Sequence, residues 1–463
     1  MSSLSQLDHD LFRILLYRGN CEELLLEHTD KGFALPTTLI PRHTRIAQQI
    51  TEIIRNDWKL QTSCLFPIGD PHSPAYAVEL CGAGHRHPAS MNWLPVHTLT
   101  ERNFREARDF HALQIAARLG DQYHNGEITG AFARPGWLRD VTEWVESKAA
   151  PLGLHPTGEF QQFNASPTFS LIRFETNGSA LWFKAVGEPN LREYPITIEL
   201  AKFFSSFVPR VIALRENWNA WLAIETEGTH PDEKSDSETW TRVARTLGEL
   251  QIASLGQTLH LLNAGCRDVR ARTLLGLVEP FLEGMADLME RQTKQSPPAL
   301  SRSEIATLRT QLQNTLSEAT DSEIPNAIGH LDFNPGNIVV NSCACTFLDW
   351  AEACAGPPFL TFQYLLEHLR RYHPANSWQS AVTSAYLHTW RSVISQEQIT
   401  EALRLSPLLA VFAYAACADA WRDPEARKRP ETARYFRSLT RRMKREADRL
   451  IDLQSVTGVP CLG

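Results

Sequence analysis

The chain runs to 463 residues, 43% hydrophobic and 21% charged, with a formal net charge of −7. At roughly 100–200 residues per domain, this length holds two or three folded units of globular composition. The acidic balance gives no reason to expect a nucleic-acid partner, no apolar run of about 18 residues marks a membrane span, and residues 1–8 lack the basic start and apolar core of a secretion signal; a cytoplasmic protein without membrane partners is expected.

In the first 135 residues, Leu11-Phe12-Arg13-Ile14-Leu15-Leu16-Tyr17 and Glu23-Leu24-Leu25-Leu26-Glu27 read as strands parted by a Gly-Asn turn. Gly32-Phe33-Ala34-Leu35-Pro36 follows, then an amphipathic helix over 45–54 and strands at Tyr76-Ala77-Val78-Glu79-Leu80 and Trp93-Leu94-Pro95-Val96. This order resembles a Nudix domain, in which a Gly-x-Pro turn leads into a helix whose Arg-Glu-x-x-Glu-Glu cluster binds magnesium. Here the helix offers only Glu52 and Asp57, five residues apart and off a common face. Diphosphate hydrolysis through two metal ions needs a denser carboxylate cluster, so residues 1–135 are expected to be Nudix-like, an α/β/α sandwich, but not hydrolytic.

A helix over 138–150, within a linker spanning 136–150, leads to the strands Gly158-Glu159-Phe160-Gln161-Gln162-Phe163 and Thr168-Phe169-Ser170-Leu171-Ile172-Arg173-Phe174. Between them, Asn164-Ala165-Ser166-Pro167 is the candidate phosphate-facing loop, through its backbone amides. Ala180-Leu181-Trp182-Phe183-Lys184-Ala185 is a strand ending near a lone lysine. The next helix starts at Glu193-Tyr194-Pro195, with the proline acceptable in its first turn. At about 100° per residue, Ile196, Leu200, Phe203, Phe204 and Phe207 share one face, and Glu193 lies nearer its centre than Glu199. Glu193 is thus the better partner for Lys184, with Glu199 as the alternative. The strand ending at Ile224-Glu225 and the crossing Thr226-Glu227-Gly228-Thr229 complete a small lobe over 151–228.

The segment 229–463 is helical, with His260 expected in the packed core and Asp419 expected as a buried acid on an apolar helix over 406–421. Its exception is Gly329-His330-Leu331-Asp332-Phe333-Asn334-Pro335-Gly336-Asn337-Ile338-Val339-Val340, followed by Leu348-Asp349-Trp350. The short β-rich runs at 338–340 and 346–348 predict a hairpin, and Cys343-Ala344-Cys345 reads as its turn rather than a zinc site. Nine scattered cysteines, an odd number, read as free thiols. A carboxylate at Asp332 suits a base that orients a hydroxyl and takes its proton; the amide oxygen of Asn337 and the carboxylate of Asp349 are hard ligands suited to magnesium.

His330-x-Asp332-x4-Asn337, Asp349-Trp350, Ala353 and Gly356-Pro357 resemble the aminoglycoside phosphotransferase and choline kinase superfamily, with Leu331 in place of the usual Gly and no Asp-Phe-Gly. The resemblance implies an α+β, bilobal protein-kinase-like fold and an ATP-dependent transfer to a hydroxyl of an aminoglycoside-, choline- or sugar-like small molecule. It implies Asp332 as base, His330 bracing the loop, and Asn337 and Asp349 holding Mg2+. Lys184 and Glu193 would fix the nucleotide phosphates, with Ile224 and Thr226 at the adenine. The competing expectations are a nucleotide-binding pseudokinase, an enzyme that transfers AMP, and a Nudix-type hydrolase working through residues 1–135.

Overall fold

The computed structural model describes residues 9–69, 74–82, 87–232, 234–372 and 378–457, so the segment read for a secretion signal lies outside the described residues. The chain divides into two compact units. The first runs to Tyr194 and takes in Arg210–Glu225; the second holds Pro195–Pro209 and everything from Thr226 onward.

In the first unit, β1 (His9–Arg18), β2 (Glu23–Thr29), β3 (Gly32–Ala34), β4 (Thr37–Pro41), α1 (Ile46–Ile53), β5 (Thr62–Ile68), β6 (Ala75–Leu80) and β7 (Met91–Pro95) precede α2 (Ala107–His124) and α3 (Trp137–Ala149). Among the described residues, β1 to β7 form one mixed sheet in which β1 pairs parallel with β6 and antiparallel with β2 and β4. Strand period two sends Phe12, Ile14 and Leu16 to α1 and the turn after it, against Ala47, Ile50 and Ile54, and sends Leu15 and Tyr17 to the opposite face, against α2 and α3. Both faces are covered, which is why Leu24-Leu25-Leu26 is apolar without alternation. This is an α/β/α sandwich.

Next come β8 (Pro156–Ala165), β9 (Ser170–Thr176), β10 (Leu181–Ala185), α4 (Glu193–Phe203), β11 (Val211–Arg215) and β12 (Ala220–Ile224). The five strands make an antiparallel sheet in the order β11-β12-β10-β9-β8. Helix α3 contributes Val141, Val145 and Ala149 to a core shared with Leu15 and Leu24 of the first sheet and with Ile172, Phe183 and Leu222 of the second. The candidate phosphate loop is a tight hairpin turn in which Ser166 N–H donates to the Phe169 carbonyl at 2.8 Å.

In the second unit, α5 (Ser237–Ala253), α6 (Thr258–Asn263), β13 (Arg267–Asp268), α7 (Ala271–Glu290) and α8 (Arg302–Asp321) lead to β14 (Ala327–His330), β15 (Ile338–Val340), β16 (Cys345–Phe347) and β17 (Ala353–Gly356). Then come α9 (Phe359–Tyr372), α10 (Trp378–Trp390), α11 (Gln396–Cys417), α12 (Pro424–Lys428) and α13 (Pro430–Thr457). One core joins α5, α9 and α10 to the strands; the other joins α7, α8, α11 and α13. Helix α11 is long and apolar enough to cross a membrane by length and composition, yet 67% of its apolar window is buried as the central helix of the second core. The whole is the mixed α+β architecture expected, strand-rich first and helical after.

Three expectations need correction. Phe203 is exposed, because α4 ends there and turns its ring edge-on to His260, 5.1 Å between centroids. His260 is no core residue: its imidazole is 42% exposed and bonds Glu199. Asp419 is not buried either. Backbone ψ of 113° at Ala418 ends α11, leaving the Asp419 side chain 67% exposed beside Arg422.

Candidate active site

Strand β14 delivers His330 to the core, 1% exposed, and the chain then leaves the sheet for the loop 331–334. The Asp332 N–H donates to His330 Nδ1 at 3.1 Å, so that nitrogen accepts and the ring proton sits on Nε2, which donates to the Leu348 carbonyl at 3.1 Å. Burial pushes the imidazole pKa down, with the Leu348 carbonyl and the charges of Asp332 and Asp349 opposing. A neutral His330 thereby ties the Asp332 loop to the residue preceding Asp349.

Asn337 ends a single 3-10 turn opened by Pro335 and leads into β15. Its Nδ2 donates to the Asp332 carbonyl at 2.9 Å and to Asp332 Oδ2 at 3.2 Å. A carbonyl only accepts, so this bond fixes which end of the amide is nitrogen. The amide oxygen accepts no hydrogen bond among the described residues and is the end available to a cation. Asn334 was not singled out from sequence, though it stands on the same turn as Asn337. Its Nδ2 donates to Asp332 Oδ1 at 3.0 Å while its own oxygen accepts from Gly336 N–H at 2.9 Å. Each carboxylate oxygen of Asp332 is therefore held by a different asparagine.

The hairpin β15–β16 returns the chain, and Leu348 N–H donates to the Asn337 carbonyl at 2.8 Å. Asp349 then adopts φ 59°, ψ 63°, a left-handed conformation that an aspartate tolerates at some cost in strain. The sharp turn it makes starts the helical residues Trp350–Glu352, and Trp350 anchors them by donating Nε1–H to the Phe347 carbonyl at 3.1 Å. Asp332, Asn337 and Asp349 thus hang on one hydrogen-bonded frame, with two hard oxygen donors, Asn337 and Asp349, of the kind magnesium takes. Glu352 is held by Arg267, which donates to it at 2.8 and 3.1 Å.

In the first unit, Lys184 on β10 reaches Glu193 at the start of α4, Nζ to Oε1 2.5 Å, with the carboxylate 2% exposed. Trp221, paired across from Lys184, lies under the ammonium at 5.6 Å. Ile224 ends β12 and donates its N–H to the Arg210 carbonyl at 3.0 Å. Thr226 begins the second unit and is half-buried. The carboxylate left as the alternative partner, Glu199, is engaged by His260.

Glu52 accepts from Gln48 at 2.9 Å and from Gln161 at 2.5 Å, and among the described residues no group of three or more His, Cys, Asp or Glu side chains converges as a metal site.

Residues 190–393 match the model of the phosphotransferase enzyme family, a span that includes Glu193, His330, Asp332, Asn337 and Asp349. Among curated proteins no sequence matches the chain. Among solved structures, the chain is similar to an ethanolamine kinase of Plasmodium vivax at 12% identity and TM-score 0.47, with 71% of this chain and 93% of that one covered. It is also similar to a choline kinase of Streptococcus pneumoniae at 13% and 0.41, covering 68% and 99%. A macrolide 2'-phosphotransferase of Brachybacterium faecium gives 13% and 0.41, covering 65% and 97%.

Proposed function

We propose that the protein is a small-molecule kinase, transferring the γ-phosphoryl group of ATP to a hydroxyl. The observation that carries this reading is the Asp332 carboxylate, held by Asn334 and Asn337 and framed through His330 and Leu348 to Asp349. The match of residues 190–393 to the phosphotransferase family supports it. In the transfer, the acceptor oxygen bonds to phosphorus as the bond to the leaving ADP oxygen breaks, and Asp332 orients the hydroxyl and takes its proton. Asn337 and Asp349 would hold a magnesium ion, which supplies charge neutralisation at the phosphates when bound. The Lys184–Glu193 pair is assigned to the nucleotide phosphates, with Ile224 and Thr226 at the adenine. For residues 1–135 we read a Nudix-like unit without hydrolysis, supported by Glu52 being already engaged by two amides.

The test is ATP turnover by the full chain with Mg2+ and a panel of hydroxylated metabolites, followed by mass spectrometry of the product. Phosphorylated product from the wild type and its loss in Asp332→Asn is the expected result. Undiminished turnover in that variant sinks the assignment of Asp332. Nucleotide binding without any product indicates a pseudokinase, and an adenylated product indicates AMP transfer.

A further inference from the structure

A cavity of about 410 Å3 opens beside Asp332, wholly within the second unit. Its floor is the loop 331–334 and its walls are three helices, each contributing side chains at helical spacing: Tyr364, His368 and Tyr372 from α9, Ala410 and Tyr414 from α11, Tyr435 and Arg442 from α13. The Tyr364 and Tyr414 rings stand 6.1 Å apart, and Tyr372, Tyr414 and Tyr435 keep exposed faces.

The charges on these walls are not arranged as in a cage for a cation. Glu367 is surrounded by guanidinium groups: Arg371 at 2.9 Å, Arg442 at 3.0 Å and Arg370 at 3.6 Å. Glu446 is engaged by Arg449, which donates to it at 2.9 and 3.0 Å. Among the described residues no second carboxylate pairs with Arg370, Arg371 or Arg442. One carboxylate has about four lone-pair directions, whereas each guanidinium carries five N–H donors in a planar fork. Donors suited to a carboxylate or phosphate therefore remain on the arginine wall, and Arg370 and Arg371 are 45% and 58% exposed.

We infer that this cavity is the acceptor site and that its ligand is an anionic sugar or polyol, carrying a carboxylate or a phosphate. The anion sits against Arg370 and Arg371, the carbon framework packs on the tyrosine faces, and a hydroxyl reaches Asp332. This differs from the aminoglycoside- and choline-like cations that the sequence resemblance suggests. It rests on the phosphotransferase reading for the word acceptor, but the binding site itself is tested without nucleotide.

Isothermal titration of the full chain with a matched hexose series, glucosamine, glucose, glucuronate and glucose 6-phosphate, separates the charge classes. Glucuronate or glucose 6-phosphate should bind about 10-fold or more tightly than the other two, with attraction weakening as salt rises. Which of the two binds identifies the anion as carboxylate or phosphate. The double variant Arg370→Gln/Arg371→Gln, on exposed positions of the last turn of α9, should lose that preference while its melting temperature holds. Glucosamine or glucose binding as well as the anions, anion binding unchanged in the double variant, or no binding of either anion overturns the proposal. Preferential phosphorylation of glucosamine would overturn it while leaving the kinase reading intact. An anion bound but never phosphorylated with Mg-ATP would overturn the acceptor role, while the kinase reading stands or falls with the metabolite panel and Asp332→Asn.

Discussion

Lys184 Nζ lies 2.5 Å from Glu193 Oε1, and the carboxylate is almost wholly withdrawn from solvent. Such a pair contributes little beyond a hydrophobic replacement, but removing one member takes away compensation for a charge held away from water, at a cost of up to about 3–5 kcal/mol. Glu193→Ala should therefore lower unfolding free energy by up to that amount in urea titrations. Lys184→Met/Glu193→Leu should cost clearly less than the two single changes summed. In turnover, Lys184→Ala should lower kcat/KM for ATP by about 10²-fold or more, on the scale of one lost transition-state donor.

Replacing Asp332 by Asn keeps the shape of the side chain and removes the base. The new amide offers one acceptor and turns its NH2 towards the other asparagine's Nδ2, so one of the two side-chain bonds is lost; Asn337 Nδ2 keeps the Asp332 carbonyl at 2.9 Å, and the melting temperature should fall only slightly. The rate should fall by about 10²–10⁴-fold, the usual weight of general base catalysis. A fall in melting temperature large enough to unfold the variant at the assay temperature would mean that the carboxylate is structural.

Asn337→Ala removes the donor to the Asp332 carbonyl and the amide oxygen assigned to the cation. The Mg2+ concentration for half-maximal turnover should rise, with kcat reduced as well because Asp332 loses its brace. A magnesium titration identical to that of the wild type would sink the metal assignment.

His330 carries a pH signature. Burial depresses its pKa in the folded state, while in the unfolded chain it titrates at about 6.5. Above that pH both states are neutral and the residue adds no pH dependence. As pH falls below it, the unfolded state takes up a proton that the folded state resists, and stability is lost until the depressed folded value is passed. The wild type should lose more melting temperature between pH 7 and pH 5 than His330→Gln, whose curve should be flatter in that window.

Gly228 has φ 137°, and a Cβ there would stand 2.5 Å from the Val340 carbonyl oxygen. Backbone cannot yield as a flexible side chain can. Gly228→Ala should cost about 1–3 kcal/mol in chemical denaturation.

How much of this was legible from sequence varied with the distance over which the information was spread. The Asp332 loop and its hairpin could be read because their residues are consecutive and their punctuation is local: Asn334-Pro335-Gly336 for the turn, two short apolar runs for the strands. Glu193 could be chosen over Glu199 from helical phase alone. Strand β5 was hidden by Pro67, which is tolerated there because β5 is the edge of its sheet. Asp419 was misplaced because nothing in the run before it announces that the helix ends at Cys417. The arginine-walled cavity was beyond reach, since its sides come from segments as far apart as Asp332 and Glu446, and only the folded chain brings them together.

Thr229 and Val340 exchange two backbone hydrogen bonds, at 3.0 and 2.9 Å, and His230 Nδ1–H donates to the Ile338 carbonyl at 2.8 Å. The segment expected to contact the adenine and the strand that begins one residue after Asn337 are therefore a single mechanical piece. Any tug on the crossing peptide is felt three positions from the Asn337 amide proposed for the cation, so occupancy at one end should be audible at the other: the amides of Thr229 and Val340 should slow their deuterium uptake in step when nucleotide is added.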